Sequence, residues 1–464
     1  MSNLADNTNE RRALHDSPLN PNCASEAMKI LLINKDCQIA GTETFMAALA
    51  STLREAGHQC EFFFFERGPM EEHLPHGCPA HFGDLADCMK LIAARRFDIA
   101  HINSGDWGYG LSAVRNAGVR LVVTSHGWVV PNWNSSNCDA LVSCSEWQAE
   151  EQKNFTDLPV HVAMNGIDVD KFVPATNASA TAQPVVAWVG RGAALRQKRI
   201  DKLADIALKL HAAGVRLWIA DPHGAKKVAE VAPDAARTLE PLAEFWDVVP
   251  IDRMPEFYRQ VAVSGGCVIS TASFEGFGLA LAEAQACGCP VISSDVCGAN
   301  EVVRPEHGGV LYSFETKPEQ LAKLVLETLG DKEGMRRRGE ISAQHVRERF
   351  SLQRMAADYL RVYEEAMSRP LRDSQTISAR SIRQLLEPVL HWHRYVEQRW
   401  MAGSFQYDAS EKLAAEGEWN LARVAAQCAL TTCPTLYARP ARLAHLLKIL
   451  RHPKARLSNR AALK

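Results

Sequence analysis

Two glutamates eight residues apart carry the clearest chemical signal in the sequence. Glu275 and Glu283 lie in the run SFEGFGLALAEAQACGCP, where an apolar strand leads through a glycine-containing turn into a helix. Glycine lets the backbone approach a ligand closely, and the free N–H groups of a helix start favour a phosphate. The helix is nearly all leucine and alanine and should be buried, so Glu283 needs hydrogen-bond donors such as ribose hydroxyls. Glu275 precedes the helix and should face the mouth of a cleft.

Alternative roles for this pair of carboxylates fit less well. Glu275 is also consistent with a favourable charge at a helix start, and Glu283 with a surface ion pair, although its neighbours are apolar. If the segment is helical throughout, eight residues rise about 12 Å. Glycosidases hold their acid and base roughly 5 to 10 Å apart. Separate roles along one bound ligand therefore fit better than a shared scissile bond.

Cationic residues follow another apolar strand. Gly190 and Arg191 directly follow the predicted strand 185–189, and Lys198 and Arg199 begin the next helix. Arg and Lys at the carboxyl end of a strand supply fixed positive charge for a leaving diphosphate. A solvated basic patch is the alternative interpretation.

Two polar residues end strands in the first half of the chain. His126 stands in the run TSHG where a cleft should open, which favours a functional role, although a lone histidine is more often structural. Asn165 stands in the run MNGID, which ends the last strand before a polar linker at 174–184.

Strands and helices alternate along most of the chain, which is typical of parallel α/β sheets. Strands are predicted at 28–34, 62–65, 97–103, 120–124, 139–144, 160–164, 185–189, 215–220, 267–271 and 290–294. Helices are predicted at 42–56, 111–116, 145–155, 199–213, 279–287, 318–329 and 352–367. The fold class is therefore α/β, with two doubly wound Rossmann-like domains facing a cleft and ligands at the carboxyl ends of the strands.

The same pattern divides the chain into four segments. They are a disordered N-terminal tail at 1–27, a first Rossmann-like domain at 28–175, a second at 184–370 and a basic helical extension at 371–464. Small residues in the extension resemble one helix-turn-helix unit of the tetratricopeptide type, which normally needs further units. A helical appendage packed on the second domain is the preferred interpretation.

Composition excludes several classes of protein. The 464 residues are 47% apolar and 23% charged, which is ordinary for a globular protein. A net charge of -2 gives no overall signal for nucleic acid. No run approaches the roughly 20 apolar residues of a membrane span, and the first residues do not resemble a secretory signal. We therefore expect a cytoplasmic protein.

The cysteines and histidines give little evidence of a metal site. The 13 cysteines include no CxxC pair and are interpreted as mostly reduced thiols of a cytoplasmic protein. Cys287 and Cys289 bracket a glycine, which is a poor metal geometry. The histidines between 73 and 81 fit a loop rich in Pro and Gly better than a metal cluster. No metal or other cofactor is expected.

Taken together, these groups resemble the retaining nucleotide-sugar glycosyltransferases of the two-domain GT-B fold, the family-4 type. The resemblance covers roughly 29–367 and rests on an ordered set: E-x7-E, G-R…K, the N-G-I-D turn, the strand-end histidine and an early glycine loop, AGTE at 40–43. There are three departures. The usual paired glycine is Ala40-Gly41, Lys198 lies slightly far from Arg191, and Arg199 stands where glycine is common, so either Lys198 or Arg199 could meet the phosphate.

The resemblance implies a role for each matching residue. Glu283 would bind the ribose, Glu275 the donor-sugar hydroxyls, and Arg191 with Lys198 the diphosphate, without a metal. His126 would contact the sugar from the first domain, which would bind the acceptor. The implied catalytic residues are Glu275, His126, Arg191 and Lys198, and the implied donor-binding residues are Glu283, Gly276, Phe277, Gly278, Gly41, Gly190, Arg199 and Asn165.

The implied reaction moves a sugar from a nucleotide-diphosphate sugar to a hydroxyl with retention, and domain closure would exclude water. A glycan or glycolipid acceptor is expected, because aromatic rings stack on sugars. The acceptor candidates are Asp106, Trp107, Tyr109, Trp128 and Trp133, although the tryptophans are also consistent with a buried core. By analogy with the family, the product would be a bacterial surface polysaccharide or lipopolysaccharide.

The C-terminal segment is basic, and its charge is compatible with more than one environment. From Leu371 to Lys464 there are 15 Lys and Arg against 7 Asp and Glu. The basic end from Arg451 onward fits either a solvated tail or peripheral contact with the anionic inner face of a membrane.

Two rival functions remain open at this point. One is a non-catalytic GT-B scaffold whose helical tail recruits partners, against which the intact charged residues argue. The other is an enzyme of another kind on the same fold, a nucleotide-sugar epimerase or a phosphorylase. The sequence does not name the sugar, the base or the acceptor.

Overall fold

The structure is a computed structural model that describes residues 26–38, 41–104, 112–126, 138–154, 156, 158–175, 183–246, 249–369 and 392–453. The N-terminal tail expected at 1–27 lies almost wholly outside these residues. So do most of the linker, at 176–182, and the basic end at 454–464.

The first half of the chain forms a sheet of seven parallel strands. They are β1 (Lys29–Asn34), β2 (Gln59–Phe64), β3 (Ala80–Phe82), β4 (Ile99–Ser104), β5 (Arg120–Ser125), β6 (Ala140–Ser143) and β7 (Val160–Val162). Their order in space is β3-β2-β1-β4-β5-β6-β7. The chain moves outward from β1 in one direction and then crosses to β4 on the other side. That crossing is the topological switch point, where such sheets bind ligands.

In the described part of this half, four helices connect the strands. They are α1 (Gly41–Glu55), α2 (Leu85–Arg95), α3 (Ser112–Asn116) and α4 (Glu146–Lys153), with a short 3-10 helix at Pro69–His73. Because α1 covers one face of the sheet and α2 and α3 the other, the strands are apolar on both sides. The side chains of Ile30 and Leu32 face α1, and those of Leu31 and Ile33 face α2 and α3.

The second sheet has six parallel strands in the order β10-β9-β8-β11-β12-β13. They are β8 (Val185–Val189), β9 (Arg216–Ala220), β10 (Ala243–Trp246), β11 (Cys267–Ser270), β12 (Val291–Ser294) and β13 (Val310–Tyr312). The helices are α5 (Leu195–Lys198), α6 (Ile200–Ala212), α7 (Gly224–Val231), α8 (Pro233–Leu239), α9 (Met254–Val263), α10 (Leu279–Ala286), α11 (Ala299–Val302), α12 (Pro318–Gly330) and α13 (Lys332–Arg349). Short 3-10 helices lie at Ile251–Arg253 and Pro305–His307. The switch point lies between β8 and β11.

One helix of the second segment crosses back to the first sheet. Although the sequence placed it in the segment 184–370, α14 (Leu352–Ser368) packs its Tyr359 and Tyr363 against α1 and the first sheet. Gly166 packs directly against the start of α14, because an added Cβ at this position would lie 2.9 Å from the Leu352 Cα. The turn before the linker therefore depends on glycine to contact the start of α14.

The helical extension packs on the first sheet. It consists of α15 (Trp392–Ala415), α16 (Trp419–Thr432) and α17 (Pro440–Arg451), with a 3-10 helix at Pro434–Ala438. Its apolar side chains share one core with α2 and α3, and the Lys412 Nζ atom lies 2.8 Å from an Asp84 carboxylate oxygen. The expectation that it packs on the second domain is wrong, because helical periodicity shows which face is apolar but not which surface that face will cover.

The sheets and the helical C-terminal region confirm the predicted fold class, and most predicted elements are found with boundaries shifted by one to three residues. The sequence analysis did not predict β3, β10, β13, α2, α5, α7, α8, α9, α11 or α13. Among the described residues, no helix is both long enough and apolar enough to cross a membrane.

Candidate functional site

The predicted charged residues converge at the switch point of the second sheet. Strands β8 and β11 are hydrogen-bonded neighbours, with Val186 opposite Cys267. Arg191 follows the end of β8, and Glu275 follows the end of β11. Since parallel strands end at the same edge of a sheet, both residues lie at that edge, which borders the crevice where doubly wound sheets bind ligands.

Lys198 and Glu275 form an ion pair in this crevice. The Lys198 Nζ atom lies 2.5 Å from Oε1 of Glu275, and the side chains are only 18% and 9% exposed. The backbone of Lys198 is hydrogen-bonded to the residue that follows β11. The Thr271 hydroxyl donates to the Lys198 carbonyl oxygen at 3.0 Å. Lys198 and Glu275 are therefore in direct contact, although 77 positions separate them in the sequence.

The two arginines beside this pair differ in what they contact. The side chain of Arg191 is exposed and has no ion-pair partner among the described residues. Arg199 instead makes a two-pronged contact with Asp201, with N–O distances of 2.7 to 3.1 Å. Of the two candidates for the phosphate partner, Lys198 is the one that faces Glu275.

Glu283 lies on α10 with its carboxylate partly buried. The Tyr258 hydroxyl on α9 donates to its Oε2 atom at 3.0 Å. Burial raises the pKa of Glu283 to about 7, and the hydrogen bond from Tyr258 works against that rise. Such a carboxyl can change charge near neutral pH and has the capacity to accept further hydrogen bonds.

The loop at 276–278 brings the two halves of the chain together. A Cβ on Gly276 would lie 2.2 Å from the carbonyl oxygen of His126, so only glycine permits this approach. Gly278 precedes α10 with a φ of 93°, a left-handed conformation. The side chain of Phe277 is buried against Phe350, so this residue has only its backbone available to a ligand.

His126 is held in place by residues of the first sheet. Its Nε2 atom lies 3.0 Å from the carboxamide oxygen of Asn103, whose amide nitrogen donates to the Thr42 carbonyl at 3.2 Å. Its ring meets Phe45 edge-on, with centroids 4.5 Å apart. Burial lowers the pKa of His126 to about 4, so the ring is neutral at physiological pH.

The other predicted donor-binding residues differ in how close they come to these groups. A Cβ on Gly41, at the start of α1, would lie 3.7 Å from the Leu279 side chain at the start of α10. A Cβ on Gly190 would lie 3.4 Å from the Lys198 side chain. Asn165 is buried, and its carboxamide oxygen has no partner in the described part of the chain.

All of the acceptor candidates lie outside the described residues. They are Asp106, Trp107, Tyr109, Trp128 and Trp133, and Ala40 also lies outside. Within the described ranges, no group of three or more His, Cys, Asp or Glu side chains could hold a metal ion.

The sequence did not identify a contact between the two halves of the chain beside the site. The Glu301 carboxylate on α11 accepts hydrogen bonds from the backbone N–H groups of Glu146 at 2.7 Å and Trp147 at 2.9 Å. These groups begin α4, so an acidic side chain of one half stabilises a helix N-terminus of the other. The signal in the sequence was an acidic residue inside the apolar run ANEVV.

Comparisons with known proteins match both halves of the chain to glycosyltransferase families. Residues 183–331 match the family described as Glycosyl transferases group 1, and residues 39–171 match Glycosyltransferase Family 4. A D-inositol 3-phosphate glycosyltransferase from Xylanimonas cellulosilytica is 32% identical over 306 residues, which is 60% of this chain and 69% of that protein. An alpha-maltose-1-phosphate synthase from Mycolicibacterium smegmatis is 27% identical over 228 residues, 44% of this chain and 57% of that protein.

Solved structures share the fold. A sucrose-phosphate synthase from Thermosynechococcus elongatus has a TM-score of 0.62 and 18% identity, covering 73% of this chain and 99% of that one. The Anabaena protein HepE, solved with UDP and glucose, has a TM-score of 0.59 and 18% identity, covering 73% and 99% of the two chains. With its two facing parallel sheets and both family matches, the chain belongs to the glycosyltransferases of group 1, the family-4 type.

Proposed function

We propose that this glycosyltransferase moves a sugar from a nucleotide-diphosphate sugar to an acceptor hydroxyl with retention of anomeric configuration. The observation that carries the proposal is the crevice at the second switch point. There Lys198 and Glu275 form an ion pair, exposed Arg191 follows the neighbouring strand β8, and the helix that follows Glu275 carries the partly buried Glu283 carboxylate. A diphosphate needs the cations, and hydroxyl groups need the carboxylates.

Each group in the crevice has a distinct part in this proposal. Arg191 and Lys198 hold the diphosphate and stabilise the charge that develops on it as the sugar departs. Glu283 accepts hydrogen bonds from the ribose, and Glu275 accepts them from the donor sugar. His126 is neutral and contacts the sugar from the first sheet. These roles extend the family resemblance to the positions where the side chains lie.

Retention follows from attack on the face of the sugar that the leaving group occupies. The acceptor oxygen bonds to the anomeric carbon as the bond from that carbon to the diphosphate oxygen breaks. A phosphate oxygen of the departing diphosphate takes the hydroxyl proton. The described side chains orient the donor and exclude water, and no step needs a metal ion.

The donor class is supported by solved neighbours and tested by binding. The structures of HepE contain UDP, UDP-glucose, or UDP with glucose. A panel of nucleotide sugars should contain one class that raises the melting temperature, and Glu283→Ala should remove that shift. Glu327→Ala, at an exposed helix position, is the matched control. Binding by Glu283→Ala as tight as by the wild type would overturn the site assignment.

The acceptor is proposed to be a glycan or glycolipid, in the synthesis of a bacterial surface polysaccharide or lipopolysaccharide. Aromatic residues follow β4 and β5 in the sequence, where the acceptor side of the cleft should lie. The relatives named for inositol 3-phosphate and maltose 1-phosphate supply the competing acceptors. Transfer of label from the bound donor to lipid-linked oligosaccharide, and not to either phosphate, is expected.

The rival functions give different products in the same assay. The ratio of anomers in the product, measured by NMR, tests retention directly. Interconversion of the donor sugar without any acceptor would favour the epimerase, and dependence on inorganic phosphate would favour a phosphorylase. Donor binding without turnover on any acceptor would favour the scaffold.

We also propose a cytoplasmic protein that makes peripheral contact with anionic lipid through its basic end. From Arg439 onward the chain contains eight Lys and Arg and no Asp or Glu. Each such cation near an anionic surface is worth about 1 kcal/mol. Flotation with vesicles containing phosphatidylglycerol, but not with neutral vesicles, is expected, and a chain ending at His452 should lose it.

A further inference from the structure

Lys198 and Glu275 neutralise each other in the crevice. Their charged atoms are 2.5 Å apart, and neither side chain is more than a fifth exposed. Removing one partner of such a pair leaves the other charge desolvated and uncompensated. A ligand that draws away Lys198 must therefore bring hydrogen-bond donors for Glu275, or Glu275 is left without a partner.

The neighbouring cations do not replace Lys198. Arg199 is engaged by Asp201 through both of its carboxylate oxygens. Arg191 is exposed at the end of β8 and is free to meet a phosphate from solvent. Glu275 also approaches the other half of the chain, because the next residue, Gly276, contacts the His126 carbonyl.

We infer that the Lys198–Glu275 pair makes the crevice select an intact nucleotide sugar over the free nucleoside diphosphate, an inference that rests on the proposed function. An intact donor supplies a diphosphate for Lys198 and sugar hydroxyls that donate to Glu275. A free nucleoside diphosphate supplies only the first. It therefore either forgoes Lys198 or shares the three ammonium donors with Glu275, which weakens the ion pair and supplies Glu275 with no donor in return. The pair thus weakens binding of the leaving product and favours its release.

The test compares two ligands across a double-mutant cycle. Dissociation constants for UDP and UDP-glucose are measured by calorimetry for the wild type, Glu275→Gln, Lys198→Gln and the double variant. Glu275→Gln should bind UDP about five- to tenfold tighter, tenfold being about 1.4 kcal/mol, because Lys198 no longer has to leave a carboxylate. Its preference for UDP-glucose over UDP should fall by at least the same factor.

Glu275→Gln is also measured in two variant backgrounds. This comparison distinguishes the loss of the Lys198–Glu275 ion pair from simple repulsion between the Glu275 carboxylate and a phosphate. In the Lys198→Gln background Glu275 has already lost its cationic partner, so Glu275→Gln should tighten UDP at least threefold less than in the wild type. In an Arg191→Gln background the full tightening should persist, because Arg191 is not part of the pair. Equal tightening in all three backgrounds would overturn the inference.

Two checks keep the result unambiguous. Thermal melting shows whether each variant is folded, and Glu275→Ala provides a second removal of the carboxylate, for which the same tightening of UDP is expected. A wild type that binds neither UDP nor UDP-glucose, nor any other pair of a nucleoside diphosphate and its sugar, would overturn the proposed function itself. A wild type that binds both, with unchanged UDP affinity in Glu275→Gln and Glu275→Ala, would overturn only the exchange.

Discussion

The Tyr258 hydroxyl donates a hydrogen bond of 3.0 Å to the Glu283 carboxylate and so joins helices α9 and α10. Burial raises the pKa of both groups, that of Glu283 to about 7. The thiols of Cys287 and Cys289 also face Tyr258, and burial keeps their pKa values high, so they are neutral near pH 7. The hydrogen bond therefore stabilises the charged carboxylate in a site that otherwise disfavours charge.

Binding of UDP-glucose should strengthen as pH rises through 7. An ionised Glu283 accepts hydrogen bonds from ribose at both oxygens, and a carboxyl with a pKa of about 7 goes from mostly protonated at pH 6 to mostly ionised at pH 8. We expect affinity to increase up to about tenfold over this interval. UDP-glucose is the suitable probe because its diphosphate is esterified at both ends. Calorimetry from pH 6 to 8 measures the change.

The variant Glu283→Gln isolates this titration. It should bind UDP-glucose weakly and without the rise between pH 6 and 8. In the ligand-free protein Glu283 has the opposite pH dependence: its contribution to folding stability falls as pH rises. A folded pKa above the unfolded value of 4.5 contributes stability below about pH 4.5, and that stability is lost as pH rises through about 7. Glu283→Gln should therefore melt at a higher temperature than the wild type at pH 8. An identical pH profile in both proteins would contradict the assignment.

Tyr258→Phe should raise the pKa of Glu283 further, because the opposing hydrogen bond is lost. The pH at which UDP-glucose affinity is half-maximal should move upward, with about three- to tenfold weaker binding at pH 7. Tyr312→Phe is the matched control, since its buried hydroxyl donates to the Ser270 carbonyl at 2.9 Å away from Glu283. Both variants should lose similar stability, and only Tyr258→Phe should shift the pH profile. An equal shift of the pH profile in both variants would mean that the Tyr258 hydroxyl does not set the pKa of Glu283.

Glu301→Ala should loosen the contact between the two halves of the chain. The carboxylate accepts two backbone hydrogen bonds at the start of α4 and is 8% exposed, so its removal leaves both N–H groups unpaired. Removal of such contacts costs about 2 to 3 kcal/mol. Chemical denaturation measures the loss, and Glu306→Ala, whose side chain is exposed, should change stability by less than about 0.5 kcal/mol. A loss no larger than that of the control would mean that α4 is held by other contacts.

The charged residues of the candidate site were recognisable from sequence because they directly follow strong apolar strands. Strand β8 has the predicted bounds, and α10 begins at the predicted residue, Leu279. Arg191 and Glu275 could therefore be assigned to one sheet edge from their sequence positions alone. Tyr258 and Glu301 could not, because each acts through a tertiary contact with a residue distant in sequence.

The elements that were not predicted have weak local patterns. The edge strand β10 has the sequence AEFW, which is too short and too polar to stand out. Helix α13 is rich in Arg and Glu and has only scattered buried residues. Its position depends on the close approach at Gly339, where an added Cβ would lie 2.2 Å from the Gly288 carbonyl. Long-range packing of this kind leaves no periodic trace in the sequence.

The helical extension should be part of the folded core of the first sheet. Leu413 on α15 is fully buried in the same apolar cluster as Leu85 and Val114. Leu413→Ala removes a core side chain, which costs about 2 to 5 kcal/mol. Ion pairs tie the same surface together, with Lys90 Nζ 2.6 Å from a Glu416 carboxylate oxygen.

Urea denaturation of the full chain measures this loss, and Leu447→Ala is the matched control because that leucine on α17 is 38% exposed. The control should change stability by less than about 1 kcal/mol, since much of its side chain already contacts water. UDP-glucose affinity measured below the unfolding transition should be unchanged in both variants, because the donor crevice lies on the other sheet. A Leu413→Ala protein as stable as the control would mean that α15 is an independent appendage and not a layer of the first core.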